Sequence, residues 1–462
     1  MLKLLWTDIL FFILLAGFAV LIVRARGREH LRRPWRKVAR SRSAMVSLVI
    51  LLAYLFIAVL DSIHFHPRTE GENGQYQAEA ISVLDSWMTP IRTRVEKTYS
   101  APFSSYAYAK EIIRRPDGTQ IWDYPRLQYG GAHLADPERE KTADILATGA
   151  KGLGKGTLVW LASACLTVVW RSRRDRAGLA ESFKRIALGR TEIPWRAVWL
   201  ALFLILGVGG MLAELGLYYH VLGTDKVGED VFYQSLKSVR TGLLIGTLTT
   251  FATLPLALGF GILAGYFRGW VDDAIQYLYT TLNSIPGVLL IAAAMLIMQV
   301  YMARHEDDFA SLAVRADFRL LFLCLILGMT SWTGLCRLLR AETLKLREME
   351  YVQASRALGV RQGAILARHI LPNVFHLVLI SVALDFSSLV LAEAVLSYVN
   401  IGVDPTMESW GNMINSARLE MARDPVVWWS LAAAFVFMFT LVLAANLFAD
   451  AVRDAFDPRR AE

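Results

Sequence analysis

Three cysteines in 462 residues leave little scope for a disulfide framework. Cys165, Cys324 and Cys336 each fall inside an apolar run, with no metal-like spacing, and read as small packing residues. Charge is also sparse. Only 19% of residues are Asp, Glu, Lys or Arg, against 55% hydrophobic and a mean hydropathy of +0.39. A soluble chain of this size has no use for so much apolar surface. Catalytic signatures are missing too: the eight histidines form no H-E-x-x-H pair, and no G-x-S-x-G elbow occurs. His64-Phe65-His66 and His305-Glu306-Asp307-Asp308 sit beside apolar runs and read as solvated loops, not metal sites. "GAKGLGKGT" (149–157) falls short of a phosphate-binding loop. Gly156 occupies the place of the magnesium-binding hydroxyl, no strand precedes it, and an apolar run follows. No enzyme activity, cofactor or metal is expected of this chain.

What the chain has is apolar runs of the length a helix needs to cross about 30 Å of hydrocarbon. Candidate spans are 4–23, 44–60, 155–170, 196–218, 240–266, 274–302, 318–340, 374–398 and 427–449. Only internally bonded helices or closed barrels survive in lipid, so the fold class is an all-α polytopic membrane protein with about nine transmembrane helices. The formal charge of +8 does not point to nucleic acid, because its sources crowd two inter-span segments. One holds Arg24, Arg26, Arg28, Arg32, Arg33, Arg36, Lys37, Arg40 and Arg42; the other holds Arg171, Arg173, Arg174, Arg176, Lys184, Arg185 and Arg190. The positive-inside bias makes both cytoplasmic. Residues 4–23 have their basic cluster after the apolar run, the reverse of a secretory signal, and read as a retained span. Nine crossings then put the N-terminus outside and "DPRR" inside, in an inner (plasma) membrane.

Residues 61–154 form an external region on this topology. "KEIIRRPDGTQIWDYP" reads as a β-hairpin turning at Pro116-Asp117-Gly118. Tyr76, Trp87, Tyr99, Phe103, Tyr106, Tyr108, Trp122, Tyr124 and Tyr129 suit either a small core or a docking face. Asp8, Glu214, Asp385, Glu393 and Asp450 are acids within or at the ends of spans, where charge is costly unless it faces a cavity or partner. Asp8, Glu214 and Asp450 lie near span ends. Asp385 and Glu393 stand about 80° apart on one helix, so both are candidates for an interior or pore side. In "LGTDKVGEDVFYQSLKSVR", Thr224 and Asp225 are good N-caps, and Phe232, Leu236 and Val239 recur on one face, predicting an amphipathic helix on the outer membrane surface.

"EYVQASRALGVRQGAILARHILPN" (350–373) is the best-formed polar stretch. Good helix formers run from Leu344 to Leu358, with Tyr351, Ala354, Ser355 and Leu358 on one face. Gly359 suits a left-handed helix end, and a second helix runs to His369 before a stop at Leu371-Pro372.

"REMEYVQASRALGVRQGAILARHILPN" resembles the EAA loop of type I ABC importer permeases of the peptide/nickel branch. "LGTDKVGEDV" resembles that branch's GTD segment, "AGYFRGWVDD" with "SIPG" its next cytoplasmic turn, and "LAEAVLSYVNIGVDP" with "SWGNMINSAR" a later pair of motifs. "NLFADAVRDAFDPR" is similar to its C-terminal signature and "WRKVARSRSAMVSLVILL" to its lead-in. The likeness covers about 220–460 and 35–60. The chain departs from the family at Gln353, Ser355, Asn400 and Thr280, and in that about 160 residues, not about forty, separate the first family span from the GTD segment, an insert that includes 61–154.

The resemblance implies a six-helix permease core within the nine, and the chain divides as 1–60, 61–154, 155–218, 219–239, 240–449 and 450–462. It implies coupling to separate ATPases through 343–372, at Glu350, Tyr351, Gln353, Ala354, Ser355, Gly359, Leu371 and Pro372. Gly223, Thr224, Asp225, Gly228 and Asp230 form the external motif. Implied partners are a second permease subunit, two cytoplasmic ATPase subunits, an external solute-binding protein and lipid, but no nucleic acid. The function implied is passage of peptides or related solutes. A non-transporting sensor or scaffold built on the external region is the alternative.

Overall fold

The structure is a computed structural model that describes residues 2–26, 29–67, 80–114, 120–309 and 311–456. The turn residues Pro116-Asp117-Gly118, Tyr76, Arg28 and the terminal "DPRR" lie outside the described residues. Among the described residues, eight helices are long and apolar enough to cross a bilayer: Trp6–Arg24, Arg42–Asp61, Pro137–Asp175, Trp195–Leu215, Val231–Phe267, Gly287–Arg304, Gln362–Tyr398 and Trp429–Phe456. The ninth expected span lies within Leu312–Arg347, a helix whose inner side is buried from Ala316 to Leu346.

The chain folds as two compact units. One comprises Met1–Lys3, Arg36–Thr241 and Glu408–Leu447; the other comprises Leu4–Trp35, Gly242–Met407 and Phe448–Glu462.

In the first unit, Pro137–Asp175 and Trp195–Leu215 pack along their lengths. The span expected at 155–170 is thus the later part of a 39-residue helix that begins well before residue 155. The glycines of the failed phosphate loop explain the pairing. A Cβ on Gly152 would lie 2.5 Å from the carbonyl oxygen of Gly210, and one on Gly156 would lie 2.1 Å from that of Leu206. Small residues spaced four apart let two membrane helices approach backbone to backbone. Lys155 reaches Glu214 on the partner helix at 2.6 Å.

Within 61–154 of this unit lies the expected hairpin. Glu111–Arg114 pairs antiparallel with Gln120–Asp123, with Ile112 opposite Trp122. Leu2–Lys3, His64–Phe65 and Ile81–Ser82 make a second small sheet, pairing Leu2 with Phe65 and Phe65 with Ile81. The aromatics divide between the two proposed uses. Tyr99 is buried, whereas Trp87, Tyr106, Trp122 and Tyr124 are exposed. Ser82 and Asp85 form a capping box for Val83–Trp87. The same Asp85 accepts hydrogen bonds from Lys237 Nζ at 2.7 Å and Tyr233 OH at 2.6 Å.

Four expectations are corrected in detail. Residues 231–239 are not a separate surface helix but the first turns of Val231–Phe267, and Phe232 and Leu236 pack against Leu84, Met88 and Ile91. Their apolar face therefore meets protein, not lipid. The span at 274–302 is two helices, Trp270–Ser284 and Gly287–Arg304, parted at Ile285-Pro286 because proline disfavours a helical predecessor. The helix expected over 344–358 breaks at Glu348-Met349, and Glu350–Ala357 stands alone. Pro372 is no stop. Its missing N–H is absorbed by a π-helical turn at Leu366–Ile370, so the helix continues to Tyr398.

The second unit is centred on Leu312–Arg347. The first turn of Trp6–Arg26 docks on it, with the backbone N–H of Trp6 and Thr7 donating to Asp317 Oδ2 at 2.8 and 3.3 Å. Asp317 thereby satisfies helix-terminal donors from another helix. Asp8, expected near a span end, is fully buried beside this contact.

Candidate functional site

Two places hold most of the residues that the sequence singles out, one in each unit. The first is the loop 219–230. Thr224 and Asp225 do not cap the following helix, contrary to expectation. That role belongs to Asp230, whose Oδ1 accepts the N–H groups of Phe232 and Tyr233 at 2.9 and 3.1 Å. Asp225 instead closes the preceding turn, accepting from Val227 and Glu229 N–H at 3.0 and 2.9 Å.

Thr224 is tied to residues 98–100. Its hydroxyl accepts the Ser100 N–H at 2.6 Å and donates to the Thr98 carbonyl at 2.9 Å, while its own N–H donates to the Ser100 carbonyl at 3.1 Å. The Thr224 carbonyl accepts from the Trp429 indole at 2.9 Å. Gly223 and Gly228 have φ of +73° and +83°, a region that glycine enters freely. A Cβ on Gly228 would lie 1.9 Å from the Glu96 carbonyl oxygen, and one on Gly223 would lie 2.5 Å from that of Ser100. Gly223 and Gly228 are therefore where the backbone of residues 96–100 seats.

A buried charge cluster closes this seam. His220 Nδ1 lies 2.8 Å from Asp230 Oδ2, and its Nε2 lies 3.5 Å from Glu96 Oε1, an ion-pair distance rather than a good hydrogen bond. Glu96 also accepts the N–H groups of Gln128, Tyr129 and Gly130 at 2.9, 2.8 and 3.2 Å. Burial pushes the Glu96 carboxyl up, but His220 and these N–H groups outweigh it and hold it down to about 2. Burial likewise opposes charge on His220, but Asp230 and Glu96 raise it to about 9. Sequence reading missed both residues, because Glu96 and His220 are 124 positions apart and carry no local signal.

The second place is the polar stretch after Arg347. Glu350–Ala357 ends in a Schellman motif, with Gly359 N–H donating to Arg356 O at 3.0 Å and Val360 N–H to Ser355 O at 3.1 Å. Gly359 has φ +74°, as its position predicts. The helix is fastened by Val352, buried among Tyr266, Leu346, Ile365 and Ile370. Arg268 pairs with Glu348 at 2.8 Å, and Gln353 Nε2 donates to the Glu348 carbonyl at 3.2 Å. The opposite face is open. Glu350, Tyr351, Gln353, Ala354 and Leu358 are exposed, and Ser355 is half-buried. Leu371 and Pro372 are also exposed, one helix turn from His369, whose ring lies 5.9 Å from that of Tyr351.

The intramembrane acids separate. Glu393 is buried and accepts from Ser397 Oγ at 2.7 Å, whereas Asp385 is exposed in a cleft. With an offset of about 80° on one helix, Glu393 packs between helices while Asp385 opens onto the cleft. Asn400 adopts φ +61° and closes its helix in a Schellman motif, its N–H donating to Ser397 O and that of Ile401 to Leu396 O, both at 2.9 Å. Asparagine tolerates that conformation better than most residues do.

Residues 257–462 match the family described as "Binding-protein-dependent transport system inner membrane component". The chain is 32% identical over 242 residues to the glutathione transport system permease protein GsiD of Pectobacterium atrosepticum, covering 52% of this chain and 73% of that protein. It is 31% identical over 239 residues to the oligopeptide transport system permease protein OppC of Mycobacterium tuberculosis (52% and 76%). It is 28% identical over 243 residues to the dipeptide transport system permease protein DppC of Lactococcus lactis (53% and 65%). A solved structure of the MetNI methionine ABC transporter aligns at TM-score 0.35 and 16% identity, over 48% of this chain and 97% of that one, too distant to bear on the fold. With these motifs and relatives, the chain belongs to the family of binding-protein-dependent transport system inner membrane components, the permeases of ABC importers.

Proposed function

We propose that this chain forms half of the membrane pathway of an ABC importer for peptides or related small solutes. A second permease subunit supplies the other half, and two cytoplasmic ATPase subunits supply the energy. The observation that carries the reading is the helix Glu350–Ala357, with Val352 fixed in its unit's core and Tyr351, Ala354 and Leu358 presented outward. A short helix rigidly seated on one side and open on the other is suited to a socket on another protein, and small Ala354 permits close approach. Movement of an ATPase holding that helix is passed to the spans as a rigid-body shift. The relatives named for glutathione, oligopeptide and dipeptide transport support the solute class.

The external motif and inserted segment are proposed to face a solute-binding protein, in keeping with the family's description. The basic inter-span segments support a cytoplasmic side for the coupling loop and C-terminus, with the N-terminus outside. The test is Ala354→Arg and Gly359→Pro, read by ATPase copurification and by solute uptake. Both should fall sharply in correctly inserted protein; wild-type levels of both would remove the coupling assignment.

A further inference from the structure

Asp385 lines a cleft between three helices of its unit, together with Thr250, Thr253, Ser331 and Ser388. The cleft holds about 60 Å³, room for a small charged group with attendant water. Among the described residues no cation pairs with the Asp385 carboxylate, and no hydroxyl donates to it. A carboxylate at this depth is costly against lipid, so it belongs to a water-filled path or a ligand.

The hydroxyls around it sharpen what that ligand must be. Thr250 Oγ1 donates to Gly246 O at 2.7 Å, Thr253 Oγ1 to Thr249 O at 2.9 Å, and Ser388 Oγ to Asp385 O at 2.8 Å. A hydroxyl has one proton, so with it directed at their own helices these three side chains offer only acceptor lone pairs to the cleft. With an ionised carboxylate, the wall consists largely of acceptors. An ammonium group is its complement, carrying three donors and no acceptor.

We propose that the Asp385 cleft is a subsite for a primary ammonium group of the transported solute, either the free amino end of a peptide or a lysine side chain. The inference rests on the permease reading above and adds a chemical requirement to it.

The test uses the full transporter, purified with its companion subunits and reconstituted in proteoliposomes. ATP-driven uptake is measured for alanyl-alanine, N-acetyl-alanyl-alanine and N-acetyl-alanyl-lysine. Asp385→Asn is expected to lower uptake of the ammonium-bearing probes about tenfold relative to N-acetyl-alanyl-alanine, the loss of one charged hydrogen-bond partner, and Asp385→Glu to retain most of it. Loss confined to alanyl-alanine assigns the subsite to the amino end; loss on the lysine probe assigns it to the side chain. An equal loss on all three probes, or none, overturns the subsite while leaving the permease reading intact. Wild-type transporter that carries none of the three overturns the peptide reading and the subsite together.

Discussion

His220 and Asp230 meet at 2.8 Å in a buried contact that joins two functions in one carboxylate. Asp230 Oδ1 caps the helix Val231–Phe267, and its Oδ2 holds the imidazole. Glu96 approaches the ring from its other nitrogen. The loop 219–230 is thus wired, through one histidine, to a segment well before it in the chain.

That wiring predicts a pH dependence. Folding raises the His220 pKa from 6.5 to about 9, so its contribution is complete below pH 6.5 and is lost as pH rises through 9. Glu96 is lowered from 4.5 to about 2, so its contribution is complete above pH 4.5 and is lost as pH falls through 2. Protease resistance of residues 96–130 should therefore peak between those inner limits and decline on the alkaline side. His220→Gln should flatten the alkaline decline and lower the plateau by up to about 3 kcal/mol. An unchanged alkaline profile in the variant would contradict the wiring.

Two left-handed glycines should respond differently to alanine. Gly359 has open space around its would-be Cβ, so Gly359→Ala costs only the backbone strain, about 1 kcal/mol. Gly228→Ala adds a collision with the Glu96 backbone and is expected to cost about 3 kcal/mol or more. Thermal unfolding of the two variants, with limited proteolysis, measures the difference. Only Gly228→Ala should expose residues 96–130 to cleavage.

Gly156→Val should separate Pro137–Asp175 from Trp195–Leu215, since even a Cβ meets the Leu206 carbonyl. Gly154→Val on the same helix meets nothing and serves as the control. A cysteine pair placed across the helix interface should lose its crosslink in the first variant and keep it in the second.

Val352→Ala removes two buried methyl groups from the anchor of Glu350–Ala357 and should cost about 1–2 kcal/mol locally. The outward face is untouched. ATPase subunits should therefore still copurify, while ATP hydrolysis becomes poorly linked to uptake. Full linkage in this variant would show that the anchor is not needed for transmission.

What the sequence made legible was governed by local chemistry. Gly359 at a helix end, the spacing of Tyr351, Ala354 and Leu358, and the paired runs around Pro116-Asp117-Gly118 each depend on neighbours within a few positions. The misread features depend on distant partners or on small adjustments of the backbone. The glycines of 149–157 looked like a damaged phosphate loop because their true partner, Gly210 with Leu206, lies fifty residues on. Pro372 looked like a terminator because a π-helical turn leaves no sequence signature. Thr224 looked like a cap because nothing near it reveals that its hydroxyl is held by Ser100 and Thr98.

The short pairing of Leu2 with Phe65 carries a consequence for topology. Two strands joined edge to edge share a compartment, so the chain between Lys3 and His64 crosses the bilayer an even number of times. Trp6–Arg26 and Arg42–Asp61 must then both cross or both stay on one side. A reporter fused ahead of Leu2 would read out the compartment that residues 64–65 share with it.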